Sequence, residues 1–266
     1  MSPAPEDETA GGDPAPAAGV PRHRAFAHTA APRPAHRLIP SQFPPIGLFD
    51  TVATAADLAK VMDLAGWTND RLVAGRIARL PQSEWVYGRP NSSIVMAAFL
   101  HVAPGGMRFN GAELGAWYAA ADLVTAVAEV GHHLRREAAS RSLPRLRRVY
   151  RSYSSRLDGA FVDIRRAHAP AGQERLLDRL YDPRAYAAAQ PFGEAVRDEA
   201  LGTTAAGSPL GPETAGIVFD SVRYRGGVNA VSYRPSQVLD IVQADHYAIA
   251  VSPDERRIDV ERLKAG

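Results

Sequence analysis

The chain has 266 residues, a formal net charge of +2 and no cysteine. Its length fits one large domain or a domain with an arm, and the lack of cysteine excludes disulfides, zinc–thiolate sites and cysteine nucleophiles. No apolar run approaches the roughly 18 residues of a membrane span, and the N-terminus lacks the apolar segment of a signal peptide, so we expect a cytoplasmic protein without a membrane anchor.

The first 34 residues are rich in proline, alanine, glycine and acidic residues, with almost no large apolar side chain. Such a segment cannot bury enough surface to offset the entropy lost on ordering. We therefore predict a disordered arm over residues 1–34. The folded domain is expected to cover residues 35–266 and to begin near His36.

The next part of the chain favours helix. Residues 51–90 read as a helical insertion, whose first helix would be capped by Thr51 or Thr54. The compact apolar segment from Ile94 to Ala103 fits a strand or a buried helix, because periodicity alone does not separate the two. Pro104-Gly105-Gly106 ends that segment.

A short strand from Ala116 to Ala120 leads into a second predicted helix. Asp122 is suited to be its N-cap. The helix carries apolar residues at positions i, i+4, i+7 and i+11, which form a core stripe of Leu123, Val127, Val130 and Leu134. Glu129 lies beside this stripe, so its carboxylate is expected at the edge of the core.

Basic residues are concentrated between Arg141 and Arg156, where they alternate with apolar and aromatic residues. A nucleic-acid interface would require a basic patch interleaved with aromatic side chains. The alternation is more typical of an amphipathic strand with a solvated arginine face. We therefore expect no nucleic-acid partner.

Downstream, Asp182-Pro183 is predicted to start a helix in the usual cap and first-turn arrangement, with Tyr186, Phe192 and Val196 facing inward. A loop rich in Gly, Ser and Pro follows at residues 203–214. The remaining predicted strands are Ile217–Phe219, Val228–Tyr233, Val238–Val242 and Tyr247–Val251. Because strands and helices mix without regular βαβ alternation, the predicted class is α+β, with a mixed β core and flanking helices.

Three chemically distinct side chains follow one another across the predicted loop, strand and helix. Arg108 follows a Gly-Gly turn, Tyr118 lies on the strand and Glu129 on the helix. One cation, one aromatic face and one carboxylate on consecutive elements can converge on a single cleft. Such a cleft suits a ligand with a phosphate, a flat cationic ring and a sugar, a description that fits nicotinamide dinucleotide.

The order of several short motifs resembles the RES domain family. These motifs are His36-Arg37-Leu38, then Arg108-Phe109-Asn110 with Tyr118 and Glu129, and then residues 216–223 (GIVFDSVR) before Gly226-Gly227. The resemblance spans roughly residues 36–245. It implies a fold related to ADP-ribosyltransferases and an enzyme that degrades NAD+ as a substrate, with no further cofactor. Family members include bacterial toxins paired with helix-turn-helix (Xre-type) antitoxins, so such a partner is an expectation here too.

The resemblance also implies roles for individual residues. Arg37 and Arg108 would hold the diphosphate, Tyr118 would pack on nicotinamide, and Glu129 would stabilise the ribosyl cation. Ser221 would hydrogen-bond the ribose or the nicotinamide amide, and Asn110 would also contact NAD+. These residues form the predicted site.

Two other functions keep the same cleft. A mono-ADP-ribosyltransferase would transfer the ADP-ribosyl group to a protein acceptor, and a non-catalytic module would only bind NAD+ or a partner. Read without the resemblance, Glu129 would be an ordinary helix glutamate paired with Arg136 or His133.

Other site types are not favoured. The two Gly-Gly pairs do not form a G-x-G-x-x-G turn that opens a helix, which argues against a Rossmann site. His132 and His133 follow Glu129 on the helix, but adjacent helical residues point about 100° apart, so no metal site is expected. The sequence contains no G-x-S-x-G elbow.

Overall fold

The computed structural model describes residues 22–42, 49–54, 57, 75–202 and 214–264. Its strands are β1 (His28–Thr29), β2 (Ala35–Pro40), β3 (Trp117–Ala120), β4 (Leu146–Leu157), β5 (Ala160–Asp163), β6 (Thr214–Asp220), β7 (Val228–Ser232), β8 (Val238–Val251) and β9 (Ile258–Leu263). Its α-helices include α1 (Ser92–Leu100), α2 (Leu123–Ser140), α3 (Glu174–Leu180) and α4 (Ala189–Ala200).

Within the described residues, the strands form one sheet in the order β1-β5-β6-β7-β3-β2-β4-β8-β9. The β5–β6 pair is parallel, and the other pairs are antiparallel. A mixed sheet flanked by helices confirms the predicted α+β class.

The folded chain begins earlier than predicted. A 3-10 helix at Arg22–Ala25 leads into β1, which pairs with β5. Phe26 is 3% exposed and packs edge-on against Phe192 of α4. One aromatic anchor and one short strand pairing therefore order residues 22–34, which the composition had assigned to the disordered arm. Residues 1–21 lie outside the described part.

Residues 55–56 and 58–74 of the predicted helical insertion lie outside the described residues, but the contacts of Thr54 near its start are described. The hydroxyl of Thr54 accepts a hydrogen bond from the amide of Asp57 at 3.1 Å and donates to the Asp57 carboxylate at 2.7 Å. This is the N-cap arrangement predicted for a helix start. Thr54, rather than Thr51, therefore has the side-chain contacts expected of a capping residue.

The ambiguous apolar segment is the buried helix α1. Its side chains are buried on nearly every side, which is why its sequence lacks a polar stripe. Asp50 supplies the missing cap from a distant segment, since its carboxylate accepts from the amides of Asn91 at 3.1 Å and Ser93 at 2.7 Å.

The predicted strand and helix around Glu129 are confirmed as β3 and α2. Asp122 caps α2, with its carboxylate accepting from the Thr125 amide at 2.7 Å. Leu134 is fully buried, while the rest of the stripe is half-buried and packs against the same core cluster. The helix therefore lies along the sheet with Glu129 at its edge.

The prediction that Asp182-Pro183 starts a helix is wrong, because α4 begins only at Ala189. The carboxylate of Asp182 instead accepts from the amides of Arg184 at 2.7 Å and Ala185 at 3.3 Å, which closes a local turn. The same cap chemistry serves turns and helices, so the motif alone was ambiguous. Phe192 and Val196 are buried as predicted.

The last two predicted strands are a single long strand, β8, which pairs with β4. Register shifts interrupt that pairing, and Asp240 has a φ of 49°, so the polar residues between the two apolar runs mark irregularities instead of a turn. The predicted arginine-faced strand is β4. Its neighbour Arg145 and its own Arg147 form ion pairs with Asp259 and Glu261 on β9.

Alternation along β3 divides the core into layers and positions the cleft. Trp117 and Ala119 pack with α1 on one face of the sheet. On the other face, Tyr118 packs with the cluster of α4, and Ala120 packs with the cluster of α2. A cavity on that face is lined by Glu129 of α2 and by Tyr118 and Ala120 of β3.

Candidate active site

A cavity of about 320 Å³ is lined by residues of α2, β2 and β3 and of the loop that carries Arg108. That volume is within the range of small-molecule sites. Five of the six predicted site residues line it, namely Arg37, Arg108, Asn110, Tyr118 and Glu129. The sixth, Ser221, is hydrogen-bonded to Glu129. The fold therefore brings together residues that are far apart in the sequence.

Glu129 is held by two donors from the other end of the chain. Its Oε1 atom accepts from the Ser221 hydroxyl at 2.7 Å and from Asn229 Nδ2 at 2.8 Å. In the part of the chain that the structure describes, Oε2 has no side-chain donor. One oxygen fixes the carboxylate, which leaves the other for a ligand.

Among the described residues, Glu129 forms no ion pair with Arg136 or His133, the two partners expected without the family resemblance. The charge of Glu129 raises the pKa of His133, but burial outweighs it and lowers that pKa overall. The imidazole of His133 lines the cleft beside Arg223.

Ser221 organises a tight turn as well as Glu129. Its hydroxyl oxygen accepts from the amides of Arg223 at 3.1 Å and Tyr224 at 3.0 Å, while its own amide donates to the Gly227 carbonyl at 2.8 Å. A hydroxyl carries one hydrogen, and here that hydrogen is donated to Glu129. In this arrangement the Ser221 hydroxyl donates its hydrogen to the Glu129 carboxylate. The predicted hydrogen bond from Ser221 to the ligand would therefore require the hydroxyl to rotate.

Asn229 is a site residue that sequence reasoning missed. It lies on β7, is 5% exposed and lines the cleft. The available signal was a single amide within the apolar run of residues 228–231, because a buried polar side chain needs a partner. Its partner, Glu129, is 100 residues away in the sequence.

Arg108 is presented by a short hairpin. Met107 and Asn110 form its bridge, and the positive φ of Gly106 (76°) closes the preceding turn. The guanidinium donates through Nη1 to the carbonyls of Leu180 and Asp182, both at 2.9 Å. It also lies over the ring of Tyr186, at 4.9 Å from the centroid. Neutral carbonyls and an aromatic face thus hold the cation and leave its charge unneutralised.

Tyr118 and Asn110 lock this hairpin to the floor of the cleft. The Tyr118 hydroxyl donates to Asn110 Oδ1 at 2.8 Å and accepts from the Phe109 amide at 3.0 Å. Asn110 Nδ2 donates to the carbonyls of Gly111 and Leu114. Burial raises the pKa of Tyr118, so the hydroxyl remains a donor at neutral pH. The amide of Asn110 is committed to the hairpin, and its contact with NAD+ stays a prediction.

Arg37 approaches the cleft from β2. Its Nη1 atom donates to the Tyr118 carbonyl at 3.0 Å, and its guanidinium lies 4.6 Å from the centre of the Trp117 ring. Burial lowers its pKa to about 10, which still leaves it charged at neutral pH. The structure therefore places a second cation in the predicted site.

One face of α4 grips the Arg108 hairpin. Gln190 Nε2 donates to the carbonyls of Gly105 at 2.7 Å and Met107 at 3.0 Å, and Glu194 accepts from the Gly111 amide at 2.7 Å. Arg197 donates to the carbonyls of the segment that follows. Positions i, i+4 and i+7 share one helix face, so a single helix fixes both ends of the hairpin.

Replacing Gln190 by glutamate should weaken the contact between α4 and the Arg108 hairpin. The native Gln190 amide donates to two carbonyl oxygens, whereas a glutamate carboxylate would place a negatively charged acceptor beside them and lose both hydrogen bonds. We expect hydrogen exchange at the hairpin amides to accelerate by at least about tenfold, which corresponds to about 1.4 kcal/mol of lost local stability. Deuterium uptake over residues 105–111, followed by mass spectrometry, measures this.

The matched control is Gln173→Glu at the N-cap of α3, where a new negative charge faces a helix N-terminus. That variant should leave exchange at the hairpin unchanged. Unaltered protection in Gln190→Glu would contradict the role of α4 as a clamp.

Among the described residues, no group of three or more His, Asp or Glu side chains is arranged to hold a metal ion. No helix in the same part of the chain is long and apolar enough to cross a membrane.

These features define an α+β domain with one fixed carboxylate and several arginines around a cleft floored by the sheet. The sequence profile of the RES domain family matches residues 76–252, which is more than half of the 266-residue chain. The chain therefore belongs to the RES domain family. The match includes Arg108, Glu129, Ser221 and Asn229 but begins after Arg37. No curated protein matches the chain.

Proposed function

We propose that this protein consumes NAD+ by cleaving the bond between nicotinamide and ribose. The observation that carries the proposal is the Glu129 carboxylate, anchored by Ser221 and Asn229 through one oxygen and facing a cleft that also holds Arg37 and Arg108. Family membership supports the same substrate.

In the proposed reaction, the bond between ribose C1 and the nicotinamide nitrogen breaks, and its electron pair leaves with nicotinamide, which becomes neutral. Positive charge develops on the ribose, as in the oxocarbenium-like transition states of glycoside hydrolysis. Glu129 stabilises that charge and can accept a hydrogen bond from a ribose hydroxyl. Water or phosphate then attacks C1 and gives up a proton.

The other cleft residues would position the substrate. Arg108 and Arg37 supply positive charge for the diphosphate, and a guanidinium fork matches phosphate oxygens better than lysine does. The ring of Tyr118 would pack on nicotinamide, whose positive ring is attracted to an aromatic face. Nicotinamide loses its charge as it leaves, so this attraction favours the substrate over the product.

Product analysis tests the proposal and assigns the acceptor. NAD+ labelled in its adenine moiety would be incubated with the protein, with and without inorganic phosphate, and the products separated by chromatography. ADP-ribose would indicate a glycohydrolase, and a phosphorylated ADP-ribose formed only with phosphate would indicate a phosphorylase. Label attached to protein would instead indicate a mono-ADP-ribosyltransferase. Intact NAD+ in every sample would contradict the proposed function.

An Asn229→Asp variant tests how Glu129 is held. The substitution keeps the shape but places a second carboxylate 2.8 Å from the first, where the native amide donates. Two adjacent carboxylates resist being ionised together. We expect the acid limb of the pH–rate profile for nicotinamide release to move to higher pH by about one unit or more. An unshifted profile would contradict the contact between Asn229 and the reacting carboxylate.

We further propose that the protein acts in the cytoplasm as the toxin of a toxin–antitoxin pair, held inactive by a helix-turn-helix partner that covers the cleft. Family membership supports this partner. Growth arrest and loss of cellular NAD+ on expression, both abolished by Glu129→Gln, are the expected results. Unimpaired growth with normal NAD+ levels on expression of the wild type would contradict the proposal that the protein is a toxin.

A further inference from the structure

Two arginines of the cleft are held by the same short segment. The carbonyls of Leu180 and Asp182 accept from Arg108 Nη1, and the next carbonyl, that of Pro183, accepts from Arg223 Nη2 at 3.0 Å. Both arginines line the cavity. The segment between α3 and α4 thus places two guanidinium groups on one wall of the site.

Neither guanidinium is neutralised by a neighbouring acid. Within the described ranges, neither Arg108 nor Arg223 forms an ion pair with a carboxylate, whereas many other arginines of the chain do. Burial lowers the pKa of Arg108, and the charge of Arg223 lowers it further. The two cations therefore repel each other across a partly dehydrated wall, and at Arg108 the Tyr186 side chain and the charge of Glu129 offset part of that repulsion.

Each guanidinium has N–H groups left for a ligand. The recorded hydrogen bonds use Nη1 of Arg108 and Nη2 of Arg223, so the Nε and the second Nη of each are unused by the described residues. A guanidinium can donate two parallel hydrogen bonds to one phosphate group. Two forks on one wall match the two phosphates of a diphosphate.

We propose that Arg223 is the partner of Arg108 in binding the diphosphate of the substrate. The proposal rests on the proposed function, because the ligand is taken to be NAD+, and it adds Arg223 to Arg108 and Arg37, the two arginines already proposed to bind the diphosphate. Arg37 is held elsewhere, between the Trp117 ring and the Tyr118 carbonyl.

The turn that carries Arg223 also connects binding to catalysis. The Arg223 amide donates to the hydroxyl of Ser221, and that hydroxyl donates to Glu129. A diphosphate bound by Arg223 would therefore rest on the same turn that orients the carboxylate. Arg225 lies on this turn too, but its side chain is exposed and does not line the cavity. Arg225 is a matched control.

Calorimetry with ADP-ribose, which contains the diphosphate but no nicotinamide, tests the proposal on the full chain. We expect Arg223→Gln to weaken ADP-ribose binding by at least about tenfold, Arg223→Lys to be intermediate because it keeps the charge but loses the fork, and Arg225→Gln to bind as the wild type does. In turnover, Arg223→Gln should raise KM for NAD+ and leave kcat within about twofold, since the diphosphate is held equally in the ground and transition states.

Wild-type affinity in Arg223→Gln, or an equal loss in Arg225→Gln, would overturn the pairing. A kcat loss without a KM change would also overturn it, because it would indicate that the substitution acts only through the turn. If the wild type binds ADP-ribose but releases no nicotinamide, the proposed function fails while the arginine pair stands. If it does neither, both fail.

Discussion

Replacing Glu129 by glutamine is expected to reduce the rate of nicotinamide release by at least about 1000-fold, equivalent to roughly 4 kcal/mol of transition-state stabilisation. The amide oxygen of glutamine can still accept from Ser221 and Asn229, so the side chain keeps its place. What it loses is the negative charge that faces the developing ribosyl cation. ADP-ribose binding and the thermal midpoint should stay close to those of the wild type.

Glu137→Gln is the matched control, because it makes the same change on the same helix. Glu137 pairs with Arg141 and Arg148 on the outer side of α2 and does not line the cavity. It should retain full activity with at most a small loss of stability. More than a tenth of wild-type activity in Glu129→Gln would contradict the role of the carboxylate.

Replacing Gly193 by alanine is expected to cause a large loss of stability, about 2–4 kcal/mol. A Cβ at this position would lie 2.0 Å from the Phe109 carbonyl oxygen and 2.7 Å from the Tyr233 hydroxyl. That hydroxyl donates to the same carbonyl at 2.8 Å, so neither group can move without breaking a buried hydrogen bond. The hairpin carrying Arg108 would be displaced from α4, and activity should fall together with stability.

Gly75→Ala provides the contrasting glycine substitution. Gly75 is also helical, but among the described residues no atom beyond its chain neighbours and its own helix backbone lies within 4 Å of a Cβ built on it. Alanine there should be neutral or stabilise by up to about 1 kcal/mol, because glycine is a poor helix former. Urea unfolding of both variants measures the difference. Equal stabilities would contradict the close packing of α4 on the hairpin.

The features that the sequence predicted best depend on local chemistry. Asp122 accepts from an amide only three residues away, and the position of Glu129 beside the apolar stripe follows from helical periodicity. Because these interactions lie within a few turns of helix, the pattern of residues specified them without knowledge of the tertiary structure. The residues of the cleft came from the family resemblance and their order in the chain.

The features that escaped prediction depend on contacts between distant segments. Asn229 is a site residue because β7 lies beside the helix of Glu129, and Gln190 is a clamp because α4 crosses the Arg108 hairpin. Likewise, Phe26 orders the first described residues by packing on Phe192. Such pairings follow from the tertiary arrangement of strands and helices, which no local pattern encodes.

The most direct test of the account is proton NMR of NAD+ mixed with the purified wild type, followed in real time beside Glu129→Gln. The account predicts that free nicotinamide signals appear with the wild type and stay absent with the variant. Equal nicotinamide release by both proteins, or no release by a folded wild type that binds ADP-ribose, would contradict the claim that the anchored Glu129 carboxylate cleaves NAD+.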